Sequence, residues 1–159
     1  VVFIGRVCTQ EGIGKLLEVA RSLPEREFWI VGGGPFASFY LWRMPENIKN
    51  LGWQPHDKVA AILKMARLCL IPREENALSP YSTEKSVWKL NEYLALGKMV
   101  VASGVTAREK RKNLKIVKSE ELVDAVRESL LHQPEKLLPE DCRFWEGNEG
   151  AIREVYQSL

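Results

Sequence analysis

The sequence has no apolar run near the ~20 residues that a membrane-spanning helix requires, and no pattern of a secretory leader. Cysteine is sparse: Cys8, Cys69 and Cys142 lie far apart, form no Cys-x-x-Cys and have no histidine at metal-ligand spacing. That spacing argues against a disulfide framework or zinc and for buried or free thiols in a reducing compartment. Histidine is scarcer still, and His56 and His132 belong to no pattern of nucleophilic or metal chemistry. A net charge of +2 is too small to argue for nucleic acid. No internal repeat or low-complexity tract is present. What remains, 45% hydrophobic and 28% charged over 159 residues, fits one globular domain with a sizeable core. The chain opens on Val1-Val2-Phe3-Ile4, inside a strand pattern and without an initiator Met, and is expected to be a domain excised from a longer protein.

Short apolar runs alternate with amphipathic segments. Strands are expected at Val1–Ile4, Phe28–Val31, Ile48–Leu51, Leu68–Ile71, Met99–Ala102 and Leu114–Val117. Helical stripes at i, i+3, i+4, i+7 run through Ile13, Leu16, Leu17 and Ala20, through Val59, Ile62, Leu63 and Ala66, and through Leu122, Ala125, Val126 and Ser129-Leu130. Asp57 and Ser119 stand where helix N-caps belong. A short aromatic helix is expected within Phe36–Met44, stopped by Pro45, and a linker, Pro134 to Asp141, before a final helix Asn148–Leu159. Strand–helix–strand repetition predicts an α/β, Rossmann-like, doubly wound parallel sheet of about six strands with helices on both faces, and ligands outside the C-terminal strand ends.

The segment Glu84 to Ser103, EKSVWKLNEYLALGKMVVAS, places Glu84 eight residues before Glu92, which lies two turns into an apolar-faced helix followed by Gly97 and a β-branched run. Eight helical positions would span ~12 Å. Spacing alone leaves a solvated amphipathic helix as the plainer reading. Three further landmarks follow the same order: Ile4-Gly5-Arg6 ends the first strand, Ile30-Val31-Gly32-Gly33-Gly34-Pro35 ends the second, and Leu51-Gly52-Trp53 precedes a helix. Phe144-Trp145, opening the last helix, is a softer fourth.

Taken together, these motifs resemble the C-terminal half of retaining glycosyltransferases of the GT-B fold, the family of glycogen synthases and lipid-linked mannosyltransferases. The resemblance runs over essentially all 159 residues and implies one nucleotide-sugar-binding domain, residues 1–159, whose acceptor-binding N-terminal half lies elsewhere. It implies that Glu84 bonds the hydroxyls of the donor sugar, that Glu92 bonds the ribose, and that the helix start near Ser82–Ser86 holds the diphosphate. Arg6 after Gly5 would neutralise the diphosphate, Lys89 would assist it, and Trp53 would lie against the nucleobase. Arg6 and Glu84 are thus the catalytic candidates, and Gly5, Arg6, Trp53, Ser86, Lys89 and Glu92 the donor-binding ones. No metal and no cofactor beyond the nucleotide diphosphate sugar is implied. The sequence has no Asp-x-Asp, the usual metal-bound nucleotide-sugar signature of the other major glycosyltransferase fold.

Two departures from the family pattern stand out. Where the family carries a lysine, this chain has Glu11, with Lys15, Lys85, Lys89 and Arg73 as candidate compensating cations. After Glu84, where small glycines are usual, stand Lys85-Ser86-Val87-Trp88, and the preceding loop holds Glu74 and Glu75 as alternative sugar contacts. The glycines of Gly32-Gly33-Gly34-Pro35 lack G-x-G-x-x-G spacing and are expected to serve a close backbone approach. The tract Arg108 to Lys118 is basic and lacks interleaved aromatics, which disfavours nucleic acid. Arg108, Lys110, Arg111 and Lys112 are candidates for contact with an anionic membrane, against the plainer reading of a solvated loop. The expected location is cytoplasmic, including the inner membrane face. The expected function is the donor half of a retaining, metal-independent glycosyltransferase, the isolated domain being inactive. Alternatives are a nucleotide-sugar epimerase of the same architecture and a non-catalytic module with a degenerate phosphate site.

Overall fold

A computed structural model of the chain describes residues 1–83, 86–106, 109–138 and 141. Six parallel strands form one sheet: β1 Val2–Ile4, β2 Phe28–Val31, β3 Ile48–Gly52, β4 Leu68–Pro72, β5 Met99–Ser103 and β6 Leu114–Ile116. Their order is β3-β2-β1-β4-β5-β6. Each expected strand is present, because runs such as Leu68–Ile71 and Val100–Ala102 are apolar enough to be buried from both faces.

Among the described residues four helices connect strands, α1 Ile13–Ser22, α2 Ala37–Leu41, α3 His56–Met65 and α4 Trp88–Ala95, and a fifth, α5 Leu122–Ser129, follows β6. Alternating strand side chains feed two separate cores. Phe3, Phe28, Ile30, Leu68 and Leu70 pack with Leu16 and Leu17 of α1 and Leu122 and Val126 of α5. On the other face Val2, Cys69, Ile71 and Val100 pack with Ile62 and Leu63 of α3 and Leu90, Tyr93 and Leu94 of α4. Cys69 is fully buried and burial pushes its thiol up to about 12, so it serves as packing rather than as a nucleophile. Cys8 and Cys69 are both free thiols.

The winding reverses between β1 and β4. These two strands share one register pair, Val2 with Cys69, whereas β4 and β5 stay paired from Leu68 with Met99 to Pro72 with Ser103. A crevice at the C-terminal ends of β1 and β4 follows from this topology. Two glycines shape it. Gly12 has φ +79, and a Cβ there would lie 1.6 Å from the carbonyl oxygen of Pro72. Gly32 has φ +130, and a Cβ there would lie 2.1 Å from the carbonyl oxygen of Gly5. Backbone therefore packs directly on backbone at both edges of the crevice.

Several helix starts differ from expectation. Pro55, not Asp57, is the N-cap of α3, because its fixed φ of −66° with ψ 157° presents His56 as the first helical residue. Lys118, not Ser119, precedes the turn leading to α5, and the Glu121 carboxylate accepts the Lys118 N–H at 3.1 Å. Ser119 instead donates its N–H and hydroxyl to Glu75. The helix carrying Glu92 begins at Trp88, not near Ser82–Ser86: Val87 is extended, and the Ser86 hydroxyl accepts the Thr83 N–H at 2.9 Å in a local turn that competes with helix. The final helix, Phe144-Trp145 and Cys142 lie outside the described residues.

Candidate donor-binding crevice

Two cavities open at the C-terminal ends of the strands, one on each side of Glu92. The first, about 560 Å³, is lined by Gly5, Arg6, Gly33, Trp53, His56 and Glu92 among others. The second, about 370 Å³, is lined by Arg73, Ser82, Ser86, Trp88, Lys89 and Glu92, with Val87. Glu92 occupies the second turn of α4, one helical step from Lys89 on the same side. Among the described residues its carboxylate has no hydrogen-bond or ion-pair partner, and neither has the exposed guanidinium of Arg6.

Trp53 is 84% exposed, so it does not cover the sheet edge; its indole stands over the Gly33 backbone at the mouth of the first cavity. An exposed indole over a glycine floor leaves an aromatic face open for stacking.

Behind the second cavity, Glu11 bridges two cations. Its Oε1 accepts from Arg73 Nη2 at 2.9 Å and its Oε2 from Lys89 Nζ. Lys89 also donates to the carbonyl of Ile4 at 3.1 Å and stands over the Phe3 ring, 5.7 Å from its centroid. The close approach of Gly12 to Pro72 brings Glu11 against Arg73, the residue after β4. Burial raises the Glu11 carboxyl, but Lys89 and Arg73 together outweigh it and the net shift is downward, so the carboxylate is ionised. Burial pulls the Lys89 ammonium down, with Glu11 opposing. Lys15 takes no part: it pairs with Glu18 at 2.8 Å. Glu75 is tied to Ser119.

Of the sequence candidates, the structure thus gathers Gly5, Arg6, Trp53 and Glu92 around one cavity and Ser86, Lys89 and Glu92 around the other. Glu84, Lys85 and Arg108 lie outside the described residues. Arg73 was only a compensating candidate in the sequence, yet it lines the crevice. His56 carried no signal there, since nothing local ties it to Glu92. Among the described residues no three His, Cys, Asp or Glu side chains cluster as a metal site, and no helix is long and apolar enough to cross a membrane.

A larger cavity, about 670 Å³, lies at the opposite end of the sheet, beside Met99 and Leu114, the first residues of β5 and β6. It holds the basic tract. There Lys112 pairs with Asp141 at 2.9 Å, Lys115 pairs with Glu128, and Arg111 donates to the Asn91 side chain. Its position away from the switch point and its internal pairing separate it from the crevice, despite its size.

Residues 1–132 match the sequence model of the family glycosyl transferases group 1. The chain belongs to the group 1 glycosyl transferases. No curated protein matches it in sequence. Among solved structures, this group 1 chain is similar in fold to the Anabaena Alr3699/HepE protein crystallised with UDP and glucose, at 16% identity and TM-score 0.69, covering 99% of this chain and 48% of that one. It is similarly close to sucrose-phosphate synthase from Thermosynechococcus elongatus, at 17% identity and TM-score 0.69, covering 99% and 45%. AviGT4, a glycosyltransferase involved in avilamycin A biosynthesis, matches at 17% identity and TM-score 0.63, covering 84% and 41%. The group 1 chain spans less than half the length of each of these structures.

Proposed function

We propose that this chain is the donor-binding half of a glycosyltransferase that moves a sugar from a nucleotide diphosphate sugar to an acceptor, with retention and without a metal ion. The observation that carries this reading is the position of Glu92, a carboxylate unpaired among the described residues and shared by an aromatic cavity and a cationic one. In this reading the base stacks on Trp53, the ribose hydroxyls donate to Glu92, and the phosphates pass between Arg6 on one side and Arg73 and Lys89 on the other. The HepE structures that contain UDP, and UDP with glucose, support the ligand class.

As the glycosidic bond breaks, charge grows on the leaving diphosphate. Fixed cations stabilise that growing charge more than they stabilise the ground state, which is the part a metal would otherwise play. Among the described residues that line the crevice, Arg6 is the cation without a partner, and it takes this task. Glu84 remains the candidate for the sugar hydroxyls. The acceptor site belongs to an N-terminal half, so the isolated chain binds donor without transferring sugar. Cytoplasmic placement, with the basic tract near an anionic membrane face, completes the proposal.

Isothermal titration with UDP, GDP and ADP and their glucose and mannose conjugates tests it. One nucleotide series should bind, with stoichiometry near one. A folded chain that binds none of them would refute the reading. The pairing of Glu11 with Arg73 and Lys89 favours one second reading, a module that retains the crevice without turnover. Joining the chain to its N-terminal half and measuring transfer separates the two.

A further inference from the structure

We infer that Glu11 is an internal counter-anion of the second cavity, a specificity-determining carboxylate that holds Arg73 and Lys89 from the protein side and thereby sets how strongly that cavity grips a phosphoryl group. The inference rests on the donor-binding reading of the crevice and adds the regulation of its affinity.

The geometry has three parts. First, Arg73 and Lys89 line the cavity, while Glu11 lines neither cavity. The carboxylate is therefore not part of either cavity's wall, and it reaches a ligand there through the two cations it holds. Second, each oxygen of Glu11 takes a different cation, Oε1 the guanidinium and Oε2 the ammonium. Two oxygens of a phosphoryl group would engage the same two side chains in the same divided fashion. Third, the backbone that carries Glu11 has no room to withdraw, since Gly12 lies directly on the Pro72 carbonyl. Only the side chain can yield.

The charge count gives the consequence. Arg73 and Lys89 contribute two positive charges and Glu11 one negative, so the cluster presents one net positive charge to a ligand. Without the carboxylate, two part-buried cations would face each other uncompensated. That state is less stable when empty and gains more from an incoming anion. The natural residue thus trades grip on the diphosphate for a stable empty site. A leaving group held less tightly is also released sooner, which matters where product release limits turnover.

The probe is inorganic pyrophosphate, titrated calorimetrically at low ionic strength into the wild type, Glu11→Gln and Glu11→Asp, each checked by circular dichroism and thermal melting. Glu11→Gln should bind pyrophosphate about tenfold more tightly, a difference of about 1.4 kcal/mol, and melt at a lower temperature. Glu11→Asp, which keeps the charge, should stay within about twofold of wild type. Unchanged or weaker binding by folded Glu11→Gln would make Glu11 a structural brace and overturn the inference, as would absence of pyrophosphate binding by both proteins. If Glu11→Gln fails to fold, the wild type still decides. Pyrophosphate should shift the Glu11 carboxyl carbon and Lys89 ammonium resonances together, and no shift at either refutes the proposal. A chain that binds a nucleoside diphosphate but fails these arms loses this inference alone. One that shows the Glu11 effect on pyrophosphate yet binds no nucleoside diphosphate loses the donor reading alone.

Discussion

Charged cavities stand at both ends of this sheet, and they differ in what their charges are doing. At the N-terminal ends of β5 and β6, lysines of the basic tract are engaged within the chain: Lys112 with Asp141 and Lys115 with Glu128. At the C-terminal ends, Arg6 and Glu92 stand without partners among the described residues beside an indole that is 84% exposed. In the first arrangement these two lysines already have carboxylate partners within the chain. The second leaves charge and an aromatic face available to a ligand. Charge is denser at the first end; topology and unpaired groups point to the second.

The contrast is broken most forcefully at the backbone. Gly12→Ala forces a methyl group into the Pro72 carbonyl, with no flexible neighbour to give way. We expect a loss of about 3 kcal/mol or more in urea unfolding. A loss below about 1 kcal/mol would mean that the two edges of the crevice are not locked together.

Glu92→Ala should weaken nucleotide binding by about 1.5–3 kcal/mol, the range for hydrogen bonds to a charged group. Stability should be nearly unchanged, because among the described residues the carboxylate has no partner to abandon. Calorimetry and melting together check this, and a nucleotide affinity indifferent to Glu92 would remove it from the ribose. At the other end, Lys112→Ala with Lys115→Ala should leave nucleotide affinity within about twofold and cost about 1 kcal/mol of stability or less, as for exposed pairs. A strong loss of nucleotide binding there would reverse the assignment of the two ends.

A smaller effect is expected from pH. The Glu11 carboxyl is held below its usual 4.5 in the folded chain, so its contribution to stability is present above that value and lost as pH falls through the folded one. Urea midpoints from pH 6 to pH 3 should fall less steeply for Glu11→Gln than for wild type. Parallel curves would show that the ion cluster contributes nothing to stability.

Much of the fold was legible. Every strand was visible as a short β-branched or leucine-rich run, and the stripes of α1, α3 and α5 marked the faces that became buried. The glycines after β2 were read correctly as a close backbone approach, since Gly32 lies on Gly5. The start of α4 was misread because the apolar periodicity continues through Val87 while Ser86 diverts the backbone into a turn. The caps at Asp57 and Ser119 were missed because Pro55 and Glu75 supply competing geometry. The cluster around Glu11 was only partly legible. Its partners lie 62 and 78 positions away, and no local pattern distinguishes Arg73 and Lys89 from Lys15, which proved to pair with Glu18.

We propose that the crevice between β1 and β4, not the basic cavity at the other end, receives the nucleotide diphosphate. Amide and indole chemical-shift mapping of the labelled chain during titration with the nucleotide that binds tests it most directly. We expect the largest shifts at Gly5, Arg6, Gly33, Lys89, Glu92 and the Trp53 indole, with Lys110 to Lys115 unmoved. Shifts concentrated at Lys110 to Lys115, with the crevice residues silent, would contradict it.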